Sequence, residues 1–97
     1  MTVALMWEAR AAEGRGPELL AWARGRRPAG RPLRHEVFAA PDDRVLVITW
    51  WPGGYAAEVP ELPEPPGELV RRAVHRWRFE SLGPVVAPEG SGAGEVG

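Results

Sequence analysis

The stretch RVLVITWWPGGY, residues 44–55, constrains the fold more than any other part of the chain. Side chains on a strand point alternately to the two faces of its sheet. A strand over 44–51 sets Val45, Val47, Thr49 and Trp51 on one face and Leu46, Ile48 and Trp50 on the other. An antiparallel strand with one wet face carries polar residues at every second position. This one carries only Thr49 after its opening arginine. Both faces must therefore be covered, and the adjacent tryptophans must meet different things.

Ninety-seven residues make one domain, placed at 1–86, with a core that gains from extra burial against a second chain. The net charge of −1 argues against a nucleic-acid protein that works by neutralising phosphates, even though all twelve basic residues are arginine. There is no cysteine, which excludes disulfides, thiolate metal sites and thiol nucleophiles. The opening MTVALMWEAR lacks the basic flank of a secretory signal, and no apolar run approaches the roughly 20 residues that span a bilayer. The expectation is a cytoplasmic protein with no membrane partner.

Residues 2–10 alternate as a strand with Val3, Leu5 and Trp7 on one face. In GRGPELLAWARGRRP, Pro17 suits a first helical turn, Glu18 favours the positive end of the helix dipole, and Gly25 with Pro28 marks the stop. Leu19, Leu20 and Ala23 form its buried stripe, with Trp22 at the edge. A strand over 33–40 joins the strand over 44–51 through the turn residues Pro41-Asp42-Asp43. An acidic, proline-rich loop, AAEVPELPEPP, follows. Residues 67–77 show helical spacing, with Leu69, Val70, Ala73, Val74 and Trp77 on one arc. Glu68, Arg71, Arg72 and His75 lie opposite, Glu68 spaced to pair with Arg72. RFESLGPVV supplies a last strand, and residues 87–97 form a small, polar tail expected to be disordered.

The resulting order, β-α-β-β-α-β, is the α+β ferredoxin-like arrangement: an antiparallel sheet with two helices on one face. The opposite face is bare. A second copy of the same sheet, related by a two-fold axis, is the simplest cover.

Over roughly residues 2–86 the chain resembles the dimeric α+β barrel superfamily, and within it the antibiotic-biosynthesis-monooxygenase-like domains. The resemblance rests on element order, length, the hairpin RHEVFAAPDDRVLVITWW and the closing HRWRFESLGPV. It implies a homodimer with a pocket between sheet and helices, open near the end of the third strand. Cofactor-independent members oxidise polycyclic aromatic substrates with Trp, Tyr and Asn side chains, and relatives degrade haem with an Asn-Trp-His set. Trp51 or Trp50, with Tyr55, matches best; the chain contains no Asn, so the polarising amide of both patterns is missing.

Trp7, Trp50, Trp51 and Tyr55 can wall a site for a small apolar or aromatic ligand, or can simply be core and interface residues. His35 has a suitable pKa for a general base, and His75 reads as a surface residue. The histidines show no metal-ligand spacing, and no cofactor is expected. GAGEVG at 92–97 follows no strand and opens no helix, so it does not read as a dinucleotide motif. Two functions stay open. One is a homodimer binding an aromatic metabolite, as a cofactor-independent monooxygenase or cyclase, in which Trp51 and Tyr55 position the substrate and His35 accepts a proton. The other is a non-catalytic ligand-binding or assembly module.

Overall fold

The computed structural model describes residues 1–85; the tail expected at 87–97 lies outside the described residues. Strands β1 (Thr2–Arg10), β2 (Arg34–Ala40), β3 (Arg44–Pro52) and β4 (His75–Ser81) form one sheet in the order β2-β3-β1-β4. Every neighbouring pair is antiparallel. One α-helix, α1 (Gly16–Arg24), and a single 3-10 turn, Gly67–Leu69, complete the regular structure among the described residues. The protein is therefore α+β, with a four-stranded antiparallel sheet consistent with a ferredoxin-like fold, but it has one helix where two were expected.

The pairing makes β1 parallel to β2 with β3 inserted between them, so β1-α1-β2 is a split βαβ unit. The helix begins where Pro17 needs no N–H partner, and Arg15 closes its first turn with a two-pronged contact to Glu18 at 2.7 and 2.8 Å. It ends at Gly25, and Leu19 and Ala23 are fully buried beneath it. Between β2 and β3, Asp42 and Asp43 both take positive φ, which short polar side chains tolerate best after glycine.

The helix expected over 67–77 is not formed. Residues 67–69 make only the 3-10 turn, Val70 bridges Ala11, and the chain is extended from His75. The physical reason lies just upstream. Pro60, Pro63, Pro65 and Pro66 bar a helix over 53–66, because each lacks an N–H and excludes its predecessor from helical geometry. That segment instead crosses the sheet face beside α1 as an extended strap. Leu62 and Pro65 are buried, and Val59 packs on Val3, Leu5 and Trp51. With the strap in place, a helix at 67–77 has no sheet left to cover, whereas β1 has an open edge that β4 fills. Arg72 accordingly pairs with Glu8 rather than Glu68, at 3.0 Å.

The core lies between the sheet and these two covers, in two parts. The larger contains Trp7, Ala9, Leu19, Ala23, Val45, Val47, Leu62 and Leu69; the smaller contains Val3, Leu5 and Trp51. Trp22 extends the larger part by stacking on Trp7, ring centroids 5.9 Å apart.

Candidate functional site

Three regions follow from this frame: the uncovered sheet face, a seam under the strap, and a groove beside β2.

On the uncovered face, the register sets Phe79, Ala4, Trp50 and Arg34 in one row across the four strands. Trp77, Met6, Ile48 and Glu36 form the next, and His75, Glu8, Leu46 and Phe38 the third. Neither α1 nor the strap lies over these rows; Trp77 remains 46% exposed and Phe79 51%. Charged groups sit at two opposite corners. Arg34 holds Glu36 at 2.6 Å and lies 5.2 Å over the Trp50 ring. Glu8 takes Arg72 at 3.0 Å and has the His75 ring nitrogen at 3.7 Å. The face thus has an apolar centre with charged groups at two corners.

On the covered face, Thr49 is the one buried polar residue among the described residues and belongs to neither part of the core. Its hydroxyl oxygen accepts the Trp51 indole N–H at 2.9 Å. Beside it is a cavity of about 110 Å³, lined by Leu5, Trp7, Val47, Thr49 and Leu62 and by Glu61, Arg76 and Arg78 at its mouth. The Trp7 indole N–H is buried without an acceptor among the described residues.

Two arginines of β4 tie the strap over this cavity. Arg76 donates to the Leu62 carbonyl at 2.9 Å and reaches Glu61 at 3.1 Å and Glu64 at 2.6 Å. Arg78 donates to the carbonyls of Tyr55 and Ala57 at 2.8 and 2.6 Å. These bonds satisfy strap carbonyls that no sheet or helix partner reaches.

His35 pairs directly across from Thr49 in the sheet but lines a different opening, a groove between α1 and β2. Its Nε2 is buried without a partner among the described residues. Burial, with a further contribution from the Arg27 guanidinium, pushes the imidazole below its ordinary 6.5. The ring is therefore neutral at pH 7.

The four aromatics read from the sequence as one wall are not brought together. Trp7 and Trp51 lie on the covered face in different parts of the core, and Trp50 lies on the opposite face. Tyr55 is 58% exposed and contributes a backbone carbonyl to Arg78. His75 is on a strand, edge-on to Trp77, not on a helix. Arg71 and Arg72, placed on the polar arc of the expected helix, instead bind the Ala11 carbonyl and Glu8.

None of Thr49, Arg76, Arg78 and Glu61 was read as a site residue from the sequence. Thr49 carried a signal as the lone polar residue of an apolar strand; the arginines carried one in the alternation His75-Arg76-Trp77-Arg78-Phe79.

Among the described residues no group of His, Asp or Glu side chains is placed to hold a metal ion, and no helix is long and apolar enough to cross a membrane. No protein-family model, curated protein or solved structure matches the chain.

Proposed function

We propose that this chain is a cytoplasmic, non-catalytic assembly module that works as a homodimer, two sheets meeting through the face that lacks a helical cover. In this reading the pair forms a barrel of the dimeric α+β kind, with α1 and the strap of each protomer outside. The observation that carries it is the composition of the three rows: Phe79, Trp77, Trp50, Ile48, Met6 and Leu46 all point away from the protomer's own core. Four large aromatics, Trp50, Trp77, Phe38 and Phe79, supply apolar area on the order of several hundred Å² per protomer. A stable complex typically buries about 800 Å² per partner. An isologous pairing also closes the assembly, so it does not propagate into fibres.

The test is substitution within the face. Trp77→Arg and Ile48→Lys should each convert dimer to monomer in light scattering while leaving the far-UV circular dichroism unchanged. A dimer that survives both substitutions with its mass intact refutes this reading.

A second reading is supported by the seam: a small apolar or aromatic ligand held under the strap by Leu5, Trp7 and Thr49. The spare Trp7 N–H is the donor such a ligand would engage. The cavity is smaller than the roughly 150 Å³ that admits a benzene ring. A polycyclic substrate of an oxygenase or cyclase therefore requires the strap to lift. His35 opens to the groove and Tyr55 to solvent, so this reading keeps Trp51 as a positioning residue and gives neither of them a reaction. Tryptophan fluorescence titrated with phenol checks it: saturable quenching that Thr49→Val weakens is expected, and no quenching at millimolar phenol contradicts it.

A further inference from the structure

The groove between α1 and the edge strand β2 has a volume near 580 Å³, within the range of small-molecule sites. Leu20, Val37 and Ala39 give it an apolar floor; Arg24 and Arg27 supply positive charge. Five arginines and no acid occur between residues 24 and 34, in a chain whose net charge is −1. Arg24 and Arg27 are among the seven arginines with no carboxylate partner among the described residues, and both line the groove. Arg27 is also pre-positioned. Its Nη1 donates to the carbonyls of Arg24 and Arg26 at 3.0 and 2.9 Å, leaving its other N–H groups free. Glu36 also lines the groove, but its carboxylate is engaged by Arg34.

We propose that this groove binds a small organic carboxylate, its anionic end on Arg24 and Arg27 and its hydrocarbon on Leu20, Val37 and Ala39. The fork of a guanidinium matches a carboxylate in two parallel hydrogen bonds, and two such forks beside an apolar floor select an anion that carries an apolar body. A bare inorganic anion meets only half of the site. Because the imidazole of His35 is uncharged at pH 7, the two arginines carry the positive charge of the lining. The groove opens along the β2 edge beside α1, and of its lining residues only Glu36, already held by Arg34, lies on the face proposed to pair.

The probe is benzoate, titrated into the full chain at pH 7 and followed by methyl chemical shifts of Val37 and Leu20 and by calorimetry. Saturable binding at millimolar benzoate or below is expected, weakened about tenfold by Arg27→Gln and by Arg24→Gln. Both side chains are exposed, so the variants should fold, and an unchanged circular dichroism spectrum checks this. Benzyl alcohol should not bind measurably, and inorganic phosphate should bind at least several-fold more weakly than benzoate. Absence of saturation overturns the proposal, as does equal affinity in the arginine variants. Phosphate binding as tightly as benzoate also overturns it, by showing a simple charge site.

Discussion

Trp50 and Trp51 are joined by one peptide bond and lie on opposite sides of the sheet. Trp51 is 5% exposed beneath the strap, its indole N–H on Thr49; Trp50 lies on the uncovered face under the guanidinium of Arg34. Strand alternation alone produces this, and it requires two different kinds of cover for one apolar strand. The protomer supplies the first from α1 and the strap. In the proposed homodimer a second copy of the chain supplies the other.

The bond between Trp51 and Thr49 satisfies a buried indole N–H, so removing its acceptor should cost more than the area lost implies. Thr49→Val strands a buried indole N–H and should lower stability by about 1–3 kcal/mol. In the double variant with Trp51→Phe, the Thr49→Val step should become smaller. A urea-denaturation double-mutant cycle measures the coupling, and strictly additive effects would show that the bond contributes nothing.

Arg76 replaces the hydrogen-bonding ladder that a helix over 53–66 would have supplied for itself. Arg76→Met keeps most of the stem but releases the Leu62 carbonyl and two partly exposed carboxylates. A loss of about 1–2 kcal/mol is expected, limited by solvent screening of the acidic partners. Amide exchange should quicken over 57–64 while β1 and β3 stay protected. Equal acceleration throughout the sheet would mean that the strap is not a separate unit.

The strap leaves β3 through Gly53, at φ +118, and a Cβ added there would lie 2.8 Å from the Ala57 Cβ. Gly53→Ala therefore meets both backbone strain and a clash. About 1–2 kcal/mol of destabilisation is expected by chemical denaturation. Gly67→Ala, which meets nothing within 4 Å, is the control and should cost less.

His35 makes stability depend on pH in a calculable direction. Its folded pKa is lowered, by burial first and by Arg27 second, so below about pH 6.5 the unfolded chain binds a proton that the folded chain does not. More protons on the unfolded state means that stability rises with pH. Full stability is thus present above 6.5 and is lost as pH falls below it, levelling off beneath the folded value. Urea midpoints measured from pH 8 to pH 5 should fall for the wild type and less steeply for His35→Gln. Identical profiles would place the pH dependence elsewhere.

Most of the sheet was legible in the sequence because its signals were local. β1 and β3 alternate cleanly; Pro17 and Gly25 punctuate α1, and Pro41-Asp42-Asp43 makes the hairpin turn. The second half was misread where two periods competed. Leu69, Val70, Ala73, Val74 and Trp77 fit a helical arc, while residues 75–80 fit a strand equally well. Local spacing does not decide between them. The decision is tertiary: the proline-rich strap had already taken the place of a second helix, and β1 offered an unpaired edge.

The candidate site was less legible for a related reason. Parity separates Trp50 from Trp51, but only the pairing of β4 shows that Arg76 and Arg78 face the strap while Trp77 and Phe79 join the opposite, uncovered face. A misassigned element thus hid both the latch of the strap and two of the four large aromatics on the open face. The aromatics stood out by type and were grouped for that reason, although the fold distributes them over both sides of the sheet.

Sedimentation equilibrium of the 97-residue chain at micromolar concentration tests the sharing of the open face most directly. The predicted result is a single species of twice the 10.6 kDa chain mass, with Trp50 and Trp77 shielded from a soluble quencher. A well-folded species of 10.6 kDa, with those indoles freely quenched, would contradict it.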